Sequence, residues 1–378
     1  MTELLQRRSA LKFLYLVPDL TDPAVDRRTI MFKAGGAEIR LAGFHRKPWT
    51  DDDSDVTPFG QTRDADLNQR LRAVVRWLLR PGDLRALAEG CDVIVARNLE
   101  MLLLGVWARF LRFGRPSLVY ECLDIHAVML GEGLKSKLLK AIEGLLLKFC
   151  RRIIVSSPAF LPAYFDRAHP GHPLAILVEN KILALDGLPV PASADAAGVP
   201  VWTIGWFGMI RCRHSLDLLK TLTKSLPGRI DVVIRGRPTA AVFPNFAGEL
   251  EDQDGVRFEG PYKAEDLAAL YAEVDFVWAM DFYEAGQNST WLLPNRLYEG
   301  GAFNVPALAQ AGVETSHWLQ KQDSGVIFQD PDNDLSPFFA GLSDEAYAAL
   351  ARRAAAVPRD ALICDREACV TLVEALRP

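Results

Sequence analysis

Short, wholly apolar runs alternate with stretches of helical spacing along this chain, and the alternation runs through it twice. A short run that is apolar at every position has no face to give to water. It is therefore a strand buried on both sides, and helices between such strands imply a parallel sheet covered on both faces. In the first half the runs are Phe13–Val17, Ala37–Ala42, Asp92–Ala96, Ser117–Tyr120, Arg152–Ser156 and Leu174–Val178. Helices are expected at Ala24–Ala34, closed by Gly35 and Gly36 as a C-cap pair, and over 99–112, 134–150 and 158–168. Another is expected at Ala65–Leu79, where Leu67, Leu71, Val74, Val75 and Leu78 make one apolar stripe. The second half repeats the rhythm with strands at Trp202–Phe207, Asp231–Arg235, Gly255–Phe258, Val274–Ala279, Pro306–Ala309 and Gly325–Phe328. Its helices are expected over 214–225, 263–272, 294–302, 345–356 and 361–376.

The fold class this predicts is α/β, with two Rossmann-like, doubly wound domains facing across a cleft. The first domain spans 1–182, a Pro-, Ala-, Gly- and Asp-rich linker spans 183–199, and the second domain spans 200–356. Residues 357–378 form a C-terminal helix whose candidate packing partner is the first domain. The 378 residues exceed what one hydrophobic core needs, and 49% apolar with 24% charged residues excludes wholesale disorder. Six cysteines (Cys91, Cys122, Cys150, Cys212, Cys364 and Cys369) never form a CxxC, so a reducing cytoplasm is expected and a disulfide framework is not. The apolar stretch Met101–Ala108 falls far short of the ~20 residues a spanning helix needs. Arg7 and Arg8 before Phe13–Val17 imitate a leader, but Pro18 and Asp19 stand where a small-residue cleavage site would be.

Nucleotide signatures of the commonest kinds are missing. There is no GxxxxGK[ST], and no GxGxxG follows the first strand, which argues against a P-loop enzyme and a dinucleotide-dependent dehydrogenase. The six histidines show no metal-binding spacing, and the acidic run Asp51–Asp55 reads as solvated, so no metal is expected. Four segments remain. Asp124 and His126 should emerge at the carboxyl end of the Ser117–Tyr120 strand, as acid/base or sugar-hydroxyl partners or as a helix cap with a structural histidine. Arg97 and Asn98 follow the Asp92–Ala96 strand, as ligand contacts or surface residues. Gly208, Arg211 and Arg213 sit where a strand gives way to a helix N-terminus, a place that favours anions and suits a diphosphate. Pro294 opens a short helix in which Asn295, Arg296 and Glu299 follow, with Arg296 and Glu299 on one face. That helix either presents free amides and a guanidinium to an anion or carries a plain ion pair.

In order and spacing these segments resemble the GT-B glycosyltransferases, in particular the bacterial exopolysaccharide enzymes of succinoglycan type, related to the large retaining family four. The likeness covers most of the chain. It runs through Asp22–Arg28 with Met31, Ala34–Glu38 and Gly43-Phe44, through Ala96–Leu102 and Tyr120–His126, and through Phe258-x-Gly260-Pro261-Tyr262, Leu270-Tyr271, Val274-Asp275 and Asn295–Glu299. The resemblance implies a metal-independent hexosyltransferase, without cofactor, that uses a nucleotide-diphosphate-sugar such as a UDP-sugar as donor. Glu299 falls on the carboxylate that receives the nucleotide ribose. Gly208, Arg211, Arg213, Asn295 and Arg296 fall in the segments that hold the diphosphate. Asp124 and His126 fall in the loop that contacts the transferred sugar, as catalytic candidates. Arg27, Arg28, Arg97 and Asn98 are candidates for acceptor or sugar contact. Retaining relatives carry a second glutamate eight residues before the ribose carboxylate; here that position is Trp291, which leaves an inverting reaction with Asp124 as base open.

Charge is uneven: residues 1–170 hold 26 Lys and Arg against 20 Asp and Glu, in a chain of net charge −5. Lys135, Lys137, Lys140, Lys148, Arg151 and Arg152 surround Leu138, Leu139, Ile142, Leu145 and Leu146, and Arg70, Arg72, Arg76 and Arg80 lie along the 65–79 helix. Such a basic amphipathic surface suits an anionic membrane. The expected partners are thus a nucleotide sugar, a polyprenyl-diphosphate-linked glycan acceptor and the inner face of the plasma membrane, not nucleic acid. Two rival readings are a sugar-nucleotide 2-epimerase of the same fold and a two-lobed binding protein without catalysis.

Overall fold

The structure is a computed structural model that describes residues 9–49, 53–63, 67–188 and 201–378. Contacts divide the chain into two compact units, Met1–Glu179 with Cys364–Pro378, and Asn180–Ile363.

The first unit is built on a parallel seven-stranded sheet of order β3-β2-β1-β4-β5-β6-β7. Its strands are β1 (Lys12–Val17), β2 (Glu38–His45), β3 (Val56–Gln61), β4 (Val93–Arg97), β5 (Ser117–Cys122), β6 (Arg152–Val155) and β7 (Leu174–Leu177). The helices between them are α1 (Pro23–Ala34), α2 (Leu67–Leu78), α3 (Pro81–Leu87), α4 (Leu99–Leu111), α5 (Ala127–Leu130) and α6 (Leu134–Leu147). Local chemistry starts α1, because Asp22 caps it by accepting the Ala24 N–H at 2.9 Å and Pro23 stands at its first turn. The sheet order changes direction at β1 and β4, so the carboxyl ends of those strands flank the switch point where doubly wound sheets bind ligands.

Several expectations need correction. Between β2 and α2, where the sequence pattern shows no buried run, lies the edge strand β3, whose Pro58 and Gly60 hide the alternation; an edge position tolerates both. In α2 the buried line runs through Val74 and Trp77, with Trp77 stacked on Phe59 at 3.9 Å, while Leu71 and Val75 face outward. Gly35 adopts ordinary helical φ, and it is Gly36 that turns left-handed at φ 89°. Gly35 serves packing instead: a Cβ there would lie 2.3 Å from the Cys369 carbonyl of the C-terminal helix, Arg366–Ala375. The helix expected over 158–168 is a π-helical turn, Leu161–Phe165, running into Asp166–Ala168.

The second unit has a parallel six-stranded sheet of order β10-β9-β8-β11-β12-β13. These strands are β8 (Trp202–Ile210), β9 (Ile230–Pro238), β10 (Val256–Phe258), β11 (Phe276–Trp278), β12 (Ala307–Gln310) and β13 (Val326–Phe328). Its helices include α7 (Arg213–Ser225), α8 (Leu267–Ala272), α9 (Asn288–Trp291), α10 (Asn295–Ala302), α11 (Glu314–Lys321), α12 (Pro331–Gly341) and α13 (Asp344–Ala356). Two apolar cores fill the two sides of the sheet, one around Trp206, Phe276 and Trp278 and the other around Tyr271, Leu297 and Tyr298. The expected boundaries shift. Ile182–Leu183 is a short strand within this unit, and residues 189–199 of the expected linker lie outside the described residues. The unit continues to Ile363 and not 356, since Leu362 is buried in its second core.

Both units are doubly wound parallel sheets covered by helices, as the sequence pattern predicts. Among the described residues no helix is long and apolar enough to cross a membrane.

Candidate functional site

In the second unit the strand order reverses between β8 and β11, and a cavity of about 260 Å³ opens at their carboxyl ends. Gly208 and Arg211 come to its wall from β8 and the turn after it, Ala279 and Asp281 from the turn after β11, and Pro294, Asn295 and Arg296 from the start of α10. Close packing places these groups. Gly208 has φ 112°, and a Cβ on its cross-strand partner Gly236 would sit 1.7 Å from the Gly208 carbonyl oxygen. Gly300 lets α10 lie directly on β11, for a Cβ there would meet the Val277 side chain at 2.6 Å. The N-terminus of α10, with its unpaired amides, is thereby held at the strand ends.

Among the described residues, the charged ones lining the cavity are two arginines and one carboxylate. Arg296 is 8% exposed; its Nη2 donates to the Met280 carbonyl at 2.9 Å, and its Nε has no hydrogen-bond partner. Burial lowers the Arg296 pKa, with Asp281 pulling the other way. Arg211 reaches Asp281 through Nη2 at 2.9 Å and Nε at 3.3 Å, and its guanidinium lies 5.3 Å from the Tyr283 ring centroid. Burial raises the Asp281 pKa, but Arg211 and Arg296 outweigh it and hold the carboxyl below its ordinary value. A buried guanidinium with a free donor edge costs free energy until an acceptor arrives. Beside a helix start, the acceptor that fits is an anion.

Glu299 follows one turn along α10, where it accepts the Tyr271 hydroxyl at 3.0 Å. Tyr262 lines the cavity, and burial, then the Glu299 charge, raise its pKa. Glu299 itself is not among the described residues that line the cavity. Of the residues that the sequence offers for the donor, Gly208, Arg211, Asn295 and Arg296 are gathered in the cavity wall. Arg213 is not. As first residue of α7 it pairs bidentately with Glu249, at 2.6 and 2.8 Å, and covers the Phe243 ring. Asp281 was missed, since a single aspartate between β11 and the Tyr283–Leu293 loop carries no local signal.

In the first unit the candidate contacts Arg28 and Arg97 turn inward to a carboxylate that sequence reasoning missed. Arg28 Nε meets Glu121 Oε1 at 2.7 Å, Arg97 Nε meets Glu121 Oε2 at 2.8 Å, and the Tyr15 hydroxyl donates to Oε2 at 2.6 Å. All of Glu121 is buried. Burial alone would raise its pKa, yet Arg97 and Arg28 hold it at about 2. These two arginines are therefore structural partners of Glu121 first, and Arg97 Nη1 keeps only an ion-pair approach to Asp22 at 3.7 Å, without a hydrogen bond. The available signal was a lone Glu inside the apolar run Val119–Cys122. Arg27 lies half-exposed on α1. Asn98 starts α4 at φ 69°, its carbonyl accepting the Leu102 N–H. Asp124 is exposed just beyond β5, and His126 caps α5 by accepting the Val128 N–H on Nδ1 at 3.3 Å. The helix cap that the sequence offers as an alternative for Asp124 is thus made by His126. Of the acidic run, Asp51 and Asp52 lie outside the described residues. Among those described, no group of three or more His, Cys, Asp or Glu could hold a metal ion.

No protein-family model matches the chain. It is 41% identical over 377 residues to the succinoglycan biosynthesis protein ExoL of Rhizobium meliloti (strain 1021), covering 97% of this chain and 93% of that protein. Among solved structures, sucrose-phosphate synthase from Thermosynechococcus elongatus superposes with TM-score 0.71 at 14% identity, over 97% of this chain and 98% of that one. HepE of Anabaena in complex with UDP gives 0.67 at 15% identity, over 97% and 99%; the same protein is known with UDP-glucose. These likenesses carry the fold, which is GT-B.

Proposed function

Since the chain belongs to the family of the succinoglycan biosynthesis protein ExoL and is a GT-B glycosyltransferase, we propose that it draws a sugar from a nucleoside-diphosphate donor held in the cavity of its second unit. The acceptor in this reading is a lipid-linked glycan presented at an anionic membrane. The observation that carries the donor site is Arg296: a buried guanidinium, with an unpartnered Nε, in a cavity that a second arginine and a helix N-terminus share. A diphosphate supplies the missing acceptor. As the glycosidic bond breaks, negative charge grows on the departing diphosphate, and donors already oriented toward it stabilise that charge without reorganising. The reaction we propose needs no divalent metal. HepE, a fold neighbour, is known in complex with UDP, which supports UDP as the first nucleoside diphosphate to test.

Glu299 stands one turn along α10 from the cavity wall, and its charge acts on Tyr262, which lines the cavity; that placement supports Glu299 as the acceptor for the ribose hydroxyls. Calorimetric titration of Glu299→Ala with UDP is expected to show binding weakened by roughly 1.5–3 kcal/mol, the range for a hydrogen bond to a charged group. Unchanged affinity in a folded variant would remove Glu299 from the donor site. Asp124, exposed at the carboxyl end of β5, is the carboxylate this reading assigns to the acceptor hydroxyl.

The membrane part of the proposal rests on exposed leucines. On α6, Glu143 turns inward to accept the Tyr120 and Tyr164 hydroxyls, at 2.8 and 2.5 Å, and to meet His169 Nε2 at 2.7 Å. That inward anchor leaves Leu134, Leu138 and Leu145 outward, at 87%, 61% and 56% exposure, among Lys135, Lys137 and Lys148. On α2, Leu71 and Val75 are outward near Arg72 and Arg76. Apolar side chains ringed by lysines suit the boundary between anionic headgroups and acyl chains. Co-sedimentation with phosphatidylglycerol vesicles should fall at least about tenfold for Leu134→Asp/Leu138→Asp, while binding to phosphatidylcholine vesicles stays weak for both proteins. Equal sedimentation of variant and parent would move the membrane contact elsewhere.

A further inference from the structure

Asp281 is a carboxylate set among groups that have to receive an anion. Among the described residues lining the cavity it stands against two cations, so the wall carries a net charge of +1 and not +2. Its Oδ2 takes both Nη2 and Nε of Arg211, and its Oδ1 accepts the Tyr283 N–H at 3.0 Å. A diphosphate arriving at Arg211 and Arg296 therefore meets a negative group already bonded to Arg211. Simple destruction of affinity is an implausible purpose for such a group in a binding wall, but a tuned affinity is useful. A glycosyltransferase releases its nucleoside diphosphate in every turnover, and a buried Arg296 with a half-buried Arg211 facing a diphosphate with no competitor would hold it tightly.

Resting on the donor-site reading above, we propose that Asp281 is a positioning residue that acts as a standing counter-ion: it orients Arg211 for the incoming diphosphate and competes with the product diphosphate for the same guanidinium, so that release stays fast. The geometry divides the two tasks. Orientation of Arg211 has a second support, the Tyr283 ring beneath it, whereas the competing negative charge in the wall belongs to Asp281 alone among the described lining residues. Removing the charge while keeping the shape should leave Arg211 near its place and strengthen the pull on the diphosphate. A support with no electrostatic role predicts the opposite, because a displaced Arg211 binds less well.

The test titrates the full chain with UDP and, separately, with inorganic pyrophosphate, and follows UDP dissociation by stopped flow. Asp281→Asn is expected to bind both ligands about tenfold or more tightly, with the gain in slower dissociation, and Asp281→Glu to restore the parent values. Raised salt should shrink the difference between Asn and Asp forms. Equal or weaker binding by Asp281→Asn, with the parent binding UDP and thermal unfolding unchanged, would overturn the counter-ion role and leave the donor site standing. Failure of the parent itself to bind UDP or any other nucleoside diphosphate would instead overturn the donor-site reading, and this inference with it. Should Asp281→Asn unfold, Asp281→Ser in the same titration gives the same two outcomes.

Discussion

Arg296→Ala is expected to abolish measurable UDP binding while leaving the ligand-free protein as stable as before, or slightly more so. The two effects separate because the residue stands in a strained balance. Without ligand, the guanidinium is buried, makes one hydrogen bond to the Met280 carbonyl, and leaves Nε unsatisfied. An unsatisfied buried donor costs on the order of 1–3 kcal/mol, which offsets much of what the Met280 bond contributes. With a diphosphate present the same group supplies charge-assisted bonds in a site of low dielectric, each contributing roughly 1.5–3 kcal/mol. Loss of more than one such bond corresponds to a hundredfold or greater rise in Kd. Calorimetry and thermal unfolding on one preparation check both halves. A variant that melts much earlier yet still binds UDP would make Arg296 a structural residue. Arg296→Lys keeps the charge but not the planar fork, and should fall between.

Glu121→Ala should be the most destabilising single change in the first unit, by about 3–5 kcal/mol, because it strands two buried guanidiniums. Arg28 and Arg97 are each 3% exposed and come from α1 and β4, so the carboxylate on β5 joins three elements of the sheet's switch region. Glu121→Gln keeps the shape and loses the charge, and its cost should be smaller but in the same direction. Urea unfolding followed by tryptophan fluorescence measures both. The same cluster sets an acid limit. With the folded pKa held at about 2 and the unfolded value near 4.5, the stabilisation is present in full above pH 4.5 and is lost as pH falls toward 2. The difference is about 3 kcal/mol across that window at ~1.4 kcal/mol per pH unit. The Glu121→Gln protein should lack this part of the acid-induced loss; equal acid sensitivity would show that Glu121 is not its source.

The rhythm of buried runs and helical stretches made two doubly wound parallel sheets legible from the chain alone, because strand burial and helix starts are written in neighbouring residues. The same is true of the α10 segment: Pro294 at the helix start with Arg296 and Glu299 one turn apart are local facts, and Pro294, Asn295 and Arg296 come to the cavity wall, whereas the contact of Gly300 with β11 was set by tertiary packing. What local signals missed was irregular or distant. β3 was masked by Pro58 and Gly60, and α12 by an internal Pro337. The fate of each arginine depended on a partner far along the chain: Arg28 on Glu121 93 residues away, Arg211 on Asp281 70 away, Arg213 on Glu249 36 away. A guanidinium has the same spacing signature whether it will be neutralised or left open to a ligand. Only the folding of β4, β5 and α1 onto one another set Arg28 and Arg97 against Glu121, and only the approach of α10 to the end of β11 buried Arg296 in a cavity wall with a donor to spare. Sequence determined which groups were available and where along each element they stood; tertiary packing decided which of them already had an acceptor, because that depends on distances in space that no local pattern records.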